Sequence, residues 1–414
     1  MQVPQFSVVS GRVPPHLGGR DEQIGYIRDA LAAPTFDGAT NMLIVGLRGT
    51  GKTSLLRRAE RIASDAGWVT VSAYLDDDGL LDRMSTKLEA LSAGPAPHRA
   101  TGTKLAGAQV SALGFGAGVT MRPTHTKLTI DAQIEAALAR TEASGLLITI
   151  DEVHATVGAA QRHLRALGNE IQLAQGRGLP VVAMMAGLPG GIRALLPDRD
   201  ENNRRTAATF LRRARRVPIG AIPLGEVATL YENAARAAGL QARAVTFERL
   251  AEVSGGYPYF VQLLGHHIWP LAEAGRITDG AVTAGAKLAR RDLAATVRDI
   301  AFGELSPVDQ SFLLAMAQWP GETPVPVGFI REQLDVAPQY VNTYRQRLLD
   351  AEMIAAPVRG RVSFVLPYMR EMLLEHAATG TRDDDWPIDW RDADKAPLHF
   401  RVDAGRSTLP PRAW

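Results

Sequence analysis

Three features of the sequence predict an α/β core with a parallel sheet, followed by an α-helical lid and a C-terminal winged helix-turn-helix domain. Short apolar segments alternate with helical patterns over residues 1–222, which is typical of parallel-sheet proteins. Residues 223–304 carry apolar residues at the three- and four-residue spacing of amphipathic helices. Residues 305–377 contain three helical patterns and two short strand-like segments. Residues 378–414 mix charges with prolines and tryptophans, and we expect an extension there.

Composition limits the class of protein. The chain has 414 residues, 46% of them hydrophobic, which is enough for more than one core. The formal net charge is only +2, so any nucleic-acid surface must be a local patch. The absence of Cys excludes disulfides, thiolate catalysis and cysteine-based zinc sites. No signal-peptide pattern and no long apolar span occur, so we expect a cytoplasmic protein that does not enter a membrane.

A phosphate-binding loop is the most specific motif. Residues 42–45 are apolar, and the next nine residues read G-L-R-G-T-G-K-T-S before a helical pattern begins. The glycines let backbone N–H groups turn inward around a polyphosphate, Lys52 adds a positive charge, and Thr53 offers its hydroxyl to Mg²⁺. The predicted cofactor-binding residues are Gly46, Leu47, Arg48, Gly49, Thr50, Gly51, Lys52, Thr53 and Ser54.

Two acidic residues end a later apolar segment. Residues 145–150 predict a buried parallel strand, and Asp151 and Glu152 follow it directly. Carboxyl ends of parallel strands meet at one edge of the sheet, so we expect both carboxylates beside the phosphate loop. The segment resembles a Walker B motif, with Asp151 holding Mg²⁺ through water and Glu152 orienting and polarising the attacking water.

An insertion interrupts this alternation. Residues 94–128 change to Gly, Ala, Pro, Thr and Val, and we expect an added hairpin there. Whether it contacts a partner or is a structural flap stays open.

The motifs together carry a resemblance to a known family. Residues 17–22 read L-G-G-R-D-E, which resembles the opening motif of origin-recognition initiator-like and STAND-like AAA+ ATPases, and the order of elements over residues 14–376 is similar to theirs. The resemblance implies an Mg²⁺-dependent ATPase with Gly19 and Arg20 near the base of the nucleotide. Such proteins usually place a polar sensor where this chain has Ala186 and Gly187. That departure predicts slow turnover.

Arginines are densest between residues 204 and 216. The resemblance implies that one of them completes the site of a neighbouring subunit, with Arg212 and Arg213 as the candidates, and hence a homo-oligomer. Solvated helix arginines and a phosphate-backbone patch remain as alternatives.

The lid contains a second family motif. Residues 254–259 read S-G-G-Y-P-Y, which resembles the G-x-P motif of STAND and related ATPases. The resemblance implies that Pro258 approaches the adenine or ribose. Pro258 also suits the first position of a helix, and both roles are compatible. Many AAA+ proteins carry a sensor arginine on this lid helix, and we find none here.

The C-terminal domain predicts a DNA surface. Its third helix presents amides and a hydroxyl that suit a major groove, and a basic wing tip follows. The candidate DNA-binding residues are Gln339, Asn342, Thr343, Gln346, Arg359 and Arg361. Double-stranded DNA is therefore the predicted partner. Winged helices also dock on proteins, and that alternative stays open.

The sequence predicts an ATP-hydrolysing AAA+ switch that acts on DNA in replication, transposition or another mobile-element process. The alternative is a STAND-type signalling ATPase that stays ADP-bound and whose winged helix and tail bind protein partners. The missing polar sensor, the missing lid arginine and the G-x-P motif favour the alternative. The basic residues and the polar helix face oppose it. A third reading, a core that binds nucleotide only for stability, is disfavoured by Glu152.

Overall fold

The computed structural model describes residues 5–8, 14, 18–33, 40–75, 79–93, 128–153, 159–196, 208–297, 305–351, 353–366 and 368–379. The predicted insertion, except for its last residue, lies outside the described residues. Arg204, Arg205 and nearly all of the predicted C-terminal extension also lie outside them. None of the helices within these ranges combines the length and the apolar composition that a bilayer span requires.

The first part of the chain alternates helices and strands. Its elements are α1 (Asp21–Ala32), β1 (Asn41–Val45), α2 (Lys52–Asp65), β2 (Val69–Tyr74), α3 (Leu80–Ala93), α4 (Ile130–Thr141), β3 (Leu146–Asp151), α5 (Ala159–Gly176), β4 (Val181–Gly187), α6 (Pro189–Leu195), α7 (Ala208–Arg213) and β5 (Arg215–Pro218).

A parallel sheet lies at the centre of this core. Within the described residues its strand order is β2-β3-β4-β1-β5, and every neighbouring pair is parallel. β1 lies between β4 and β5, so the glycine loop that follows β1 begins between the carboxyl ends of these two strands. β3 and β4 are buried along their whole length, as central strands covered by helices on both faces must be. The predicted parallel α/β core is confirmed.

Helices on both faces fix the position of the strand ends. α1 and α2 pack on one face, and α3, α4, α5 and α7 pack on the other. α2 buries Leu55, Leu56, Ala59 and Ala63, a spacing that places all four on one side of the helix. Each fully buried Leu contributes about 2 kcal/mol through removal of apolar surface from water. The helix that follows the glycine loop is therefore held against the sheet along its length.

The second part of the chain is a helical domain followed by a C-terminal module. The helical domain consists of α8 (Leu224–Ala237), α9 (Ala244–Ser254), α10 (Pro258–Ile268), a 3₁₀ turn (Trp269–Leu271) and α11 (Asp279–Val297). The C-terminal module consists of α12 (Pro307–Ala317), β6 (Val325–Pro326), α13 (Val327–Leu334), α14 (Pro338–Asp350), β7 (Ile354–Ala355), β8 (Arg361–Phe364) and α15 (Met369–Thr379). Its three short strands pair antiparallel in the order β6-β8-β7.

The helical domain and the C-terminal module share one hydrophobic core. Their buried apolar residues form a continuous cluster that crosses the predicted boundary at residue 304. Tyr368, just before α15, donates its hydroxyl to the carbonyl of Val253 in α9. Its ring lies 5.2 Å from the ring of Phe260 in α10. The two parts are therefore joined by buried apolar contacts and not only by the chain.

The chain before α1 also reaches the helical domain. Phe6 is 5% exposed, and its ring lies 4.6 Å from Trp269 and 5.7 Å from Tyr231. A Cβ on Gly265 would lie 2.3 Å from the Phe6 ring, so only glycine leaves room for it. The prediction of one nucleotide-binding core over residues 1–222 had included Phe6. The structure packs Phe6 into the helical domain because the glycine in α10 opens a slot for the ring.

Candidate functional site

The glycine loop connects β1 directly to α2. Gly49 and Gly51 have φ angles of +71° and +90°, in the left-handed region that favours glycine. α2 begins at Lys52, so its amino terminus faces the loop, and the helix dipole favours an anion there.

The core holds three of the loop carbonyls. Lys52 Nζ donates to Gly46 O at 2.9 Å and to Leu47 O at 3.0 Å. The Thr50 hydroxyl also donates to Leu47 O, at 2.7 Å. Arg20 donates to Thr50 O at 3.2 Å. A carbonyl held by a surrounding donor leaves the N–H of the same peptide on the opposite side, as an anion-binding nest requires, although the Thr50 N–H donates to Leu47 O at 3.4 Å.

The helical domain holds the other two carbonyls. The Tyr257 hydroxyl donates to Arg48 O at 3.1 Å, and Tyr259 N donates to Gly49 O at 3.1 Å. Pro258 lies between these two residues and begins α10, as its fixed φ favours. The G-Y-P-Y segment therefore lies on the glycine loop.

The loop and the acidic strand end meet. The Thr53 hydroxyl, in the first turn of α2, donates to Asp151 Oδ2 at 2.6 Å. Asp151 is 6% exposed at the carboxyl end of β3, and its Oδ1 accepts from Glu152 N at 2.9 Å. A hydroxyl beside a carboxylate is the hard-oxygen donor set that Mg²⁺ prefers. Two motifs 98 residues apart in sequence thus form one site.

Glu152 adopts an unusual backbone conformation. Its φ angle is +57°, in the left-handed region that non-glycine residues rarely adopt, and its side chain is exposed. Such a conformation costs about 1–3 kcal/mol and persists only where the surroundings impose it. The residue predicted to orient the attacking water is therefore held at a sharp turn directly after β3.

Sequence reasoning missed Glu60, which links α2 to the sheet. Its Oε1 accepts hydrogen bonds from Ser72 on β2 and Thr149 on β3, both at 2.7 Å. Thr149 and Asp151 lie on the same face of β3 because they are two residues apart. Hydroxyls at alternate positions of otherwise apolar strands were the available signal. α2 is joined to β3 at Thr53 and again at Glu60.

The end of β4 explains the missing polar sensor. A Cβ on Gly187 would lie 1.9 Å from Val153 O, so no side chain fits there. Val153 N donates to Ala186 O at 2.7 Å, which brings the segment after Glu152 against β4. The backbone of Val153 therefore occupies the space beside Gly187 that a polar side chain would need.

Gly19 and Arg20 lie where the core joins the helical domain. A Cβ on Gly19 would lie 2.6 Å from Ile222. Arg20 is 6% exposed and donates to Gly19 O at 2.9 Å and to Gly220 O at 2.5 Å, besides Thr50 O. Burial lowers the pKa of Arg20, and the nearby Glu226 raises it in part. The guanidinium is thus used to join the loop to the segment that leads into α8.

Arg212 and Arg213 lie near the amino ends of the parallel strands, whereas the glycine loop of the same chain follows the carboxyl end of β1. They end α7 and precede β5, whose first residue pairs with Met42 at the start of β1. Both side chains are exposed, and Arg212 Nε donates to Leu196 O at 3.0 Å. The structure does not bring them together with the glycine loop within this chain.

The candidate DNA-binding residues lie on the C-terminal module. All six, Gln339, Asn342, Thr343, Gln346, Arg359 and Arg361, are exposed. The first four lie on α14, and the two arginines lie at the connection of β7 and β8. Arg361 donates to Pro324 O at 2.9 Å, which holds the base of that connection.

Comparisons with known proteins agree with this geometry. Residues 16–185 match a family described as AAA ATPase domain. A Walker-type ATPase of Pyrococcus abyssi superimposes with a TM-score of 0.58 at 14% identity, over 86% of this chain and 95% of that chain. The core has the P-loop AAA+ ATPase fold. The AAA+ core predicted from the glycine loop and the acidic strand is thereby confirmed.

The other comparisons are less specific. Residues 296–373 match a domain of unknown function (DUF8462), which covers most of the C-terminal module. The RuvB Holliday junction branch migration motor of Thermotoga maritima aligns over 86% of this chain and 93% of that chain. Its identity is 16% and its TM-score 0.43. No curated protein matches significantly.

Proposed function

We propose that this protein is an Mg²⁺-dependent AAA+ ATPase whose nucleotide state controls the helical domain and the C-terminal module. The observation that carries the proposal is the 2.6 Å contact between Thr53 and Asp151 beside the loop that begins α2. Two independent motifs supply a phosphate cradle and a metal-binding oxygen pair at the same place. The family match over residues 16–185 supports the same assignment.

The residues present fit ATP and magnesium. The loop carbonyls are engaged by protein donors, so the loop N–H groups suit a polyphosphate. Thr53 and Asp151 are the residues that would hold Mg²⁺. When bound, Mg²⁺ supplies positive charge that neutralises the β- and γ-phosphate oxygens.

Lys52 and Glu152 take the active roles in this proposal. Lys52 is 7% exposed, and its flexible chain lets the ammonium exchange the carbonyls of Gly46 and Leu47 for phosphate oxygens. Glu152 orients a water and accepts its proton. Because Gly187 leaves no room for a polar sensor, this water has one partner fewer and we expect slow turnover. Arg212 or Arg213 then acts on the site of a neighbouring subunit, which requires a homo-oligomer.

Two substitutions test the ATPase proposal. Lys52→Ala should abolish ATP binding, whereas Glu152→Gln should bind ATP normally and stop turnover. Lys287→Ala, which changes an exposed lysine on α11, serves as the control and should behave like the wild type. Equilibrium binding of labelled ATP and steady-state phosphate release measure the two properties. Normal ATP binding by Lys52→Ala would falsify the assignment.

We further propose that the C-terminal module is a winged helix that contacts double-stranded DNA. The exposed amides of Gln339, Asn342 and Gln346 support α14 as the element that enters the major groove. Arg359 and Arg361 support a phosphate or minor-groove contact at the wing. With this assignment, we propose that the protein acts on DNA in replication, transposition or another mobile-element process.

The alternative function is a STAND-type signalling switch with protein partners. The missing sensor at Gly187 favours it, and so do two exposed apolar side chains on the same module, Tyr340 at 56% and Val358 at 54%. Such side chains suit a protein surface as well as they suit DNA.

DNA binding measured against salt separates the two functions. The double variant Arg359→Ala/Arg361→Ala should weaken binding and reduce the salt slope by about 1 for each of the two arginines that contacts a phosphate. Point variants are preferable to deletion of the module, because the helical domain shares its core. Arg236→Ala, on α8, serves as the control. Absence of DNA binding by the wild type at low salt, with and without ATP, would favour the signalling function.

A further inference from the structure

The contact between the helical domain and the glycine loop depends on one side chain and one backbone group. The Tyr257 hydroxyl donates to Arg48 O, and Tyr259 N donates to Gly49 O, each at 3.1 Å. A Cβ on Gly49 would lie 2.1 Å from the Tyr257 oxygen, so the loop approaches this hydroxyl as closely as a glycine permits. A substitution can remove the first hydrogen bond and leave the second.

The local backbone fixes the position of Tyr257. Gly256, with φ at +71°, accepts a hydrogen bond from Ile222 N at 2.8 Å, and Tyr257 N donates to Ser254 O at 3.1 Å. The Tyr257 ring packs edge-on against the Tyr259 ring, with centroids 6.4 Å apart. Burial raises the pKa of Tyr257, so the hydroxyl keeps its proton and stays a donor at neutral pH.

The hydroxyl acts on a peptide plane that faces the ligand. Arg48 O and Gly49 N–H belong to the same planar trans peptide, so they point in opposite directions. A donor that holds the carbonyl outward therefore holds the N–H inward, toward the side where a phosphate binds. The bond from Tyr259 N to Gly49 O fixes the next peptide, whose Thr50 N–H donates to Leu47 O at 3.4 Å and closes the turn of the loop.

We propose that Tyr257 is a positioning residue for the nucleotide: its hydroxyl orients the Arg48–Gly49 peptide and thereby couples nucleotide affinity to the seating of the helical domain on the loop. The inference rests on the proposed function, since it requires that the loop binds ATP or ADP. By linkage, a contact that strengthens nucleotide binding is itself strengthened by the nucleotide. Nucleotide binding therefore tightens the seating of the helical domain, and the C-terminal module follows through the shared core.

Tyr257→Phe tests this proposal because it removes only the hydroxyl. Loss of one hydrogen bond should weaken ADP and ATP binding by about two- to tenfold. KM for ATP should rise by a similar factor while kcat stays unchanged, because the hydroxyl positions the loop and does not take part in the chemistry. The unfolding midpoint without nucleotide should fall by only about 1–6 °C, as expected for the loss of one hydrogen bond. Tyr340→Phe, an exposed tyrosine on α14, is the matched control and should leave affinity unchanged.

Amide hydrogen exchange gives a second readout on the same variants. Without nucleotide, amides of residues 46–51 should exchange faster in Tyr257→Phe than in the wild type, while those of β3 should not change. Wild-type affinity in Tyr257→Phe would overturn the inference, as would a fall in kcat at constant KM. Failure of the wild type to bind any adenine nucleotide would instead overturn the proposed function, so the two failures are distinguishable.

Discussion

Replacing Arg20 with Met removes a buried guanidinium that joins the glycine loop to the segment leading into the helical domain. In the wild type it donates to Thr50 O at 3.2 Å and to Gly220 O at 2.5 Å, and the residue is 6% exposed. Methionine fills much of the same space but donates no hydrogen bond, so Thr50 O, Gly220 O and Gly19 O all lose a donor. The buried bond to Thr50 O costs about 1–3 kcal/mol when its donor is lost, and the two part-buried bonds cost about 0.5–1.5 kcal/mol each, which gives about 2–6 kcal/mol in all.

Part of this cost is offset because the variant no longer desolvates a guanidinium, so we expect a net loss of about 2–4 kcal/mol. At about 2–4 °C per kcal/mol, the unfolding midpoint of the core should fall by roughly 4–16 °C. Differential scanning calorimetry measures this shift. Arg236→Met is the control, because its exposed guanidinium pairs with Glu232 at 3.0 Å on the surface and contributes below about 1 kcal/mol. An Arg20→Met protein that unfolds at the wild-type temperature would show that the buried guanidinium does not stabilise the core.

Three further predictions follow from the same contacts. Glu60→Gln should lower the free energy of unfolding by about 1–2 kcal/mol, because hydrogen bonds from hydroxyls to a carboxylate are stronger than those to an amide. Urea denaturation measures the free energy of unfolding, and an unchanged value would contradict the prediction. Phe6→Ala should destabilise the helical domain by about 3–5 kcal/mol through loss of a buried ring, measured by the same method, and a loss below about 1 kcal/mol would show that the ring is not anchored. Gly187→Ala should slow phosphate release while ATP still binds, because the added Cβ would lie 1.9 Å from Val153 O and displace the turn at Glu152. Turnover at the wild-type rate would show that the added methyl group does not disturb this turn.

The sequence allowed the core to be predicted because its signals are local. An apolar strand, a glycine loop and a helix follow one another at Val45, Gly46 and Lys52, and each is recognisable within about ten residues. Asp151 was assigned to the same site because carboxyl ends of parallel strands meet at one edge of a sheet. The contact of its carboxylate with Thr53 follows from that rule together with the observed strand order.

Contacts between distant segments could not be predicted in this way. Phe6 packs against Trp269, and Ser7 N donates to Gln262 at 3.0 Å, across 255 residues of sequence. Arg20 was predicted to lie near the base of the nucleotide, but no local pattern indicates that its guanidinium hydrogen-bonds three backbone carbonyls. Such partners depend on how complete layers pack, and periodicity does not encode that information.

The proposed magnesium site is tested by the magnesium dependence of ATP affinity in the wild type and in Asp151→Asn. If Thr53 and Asp151 supply the metal-binding oxygens, the wild type should bind ATP more tightly with Mg²⁺ than with a chelator. Asp151→Asn should bind with nearly the same affinity in both conditions, and Asp279→Asn, on the exposed start of α11, should behave like the wild type. An Asp151→Asn protein that keeps the full wild-type response to Mg²⁺ would show that Asp151 does not hold the metal.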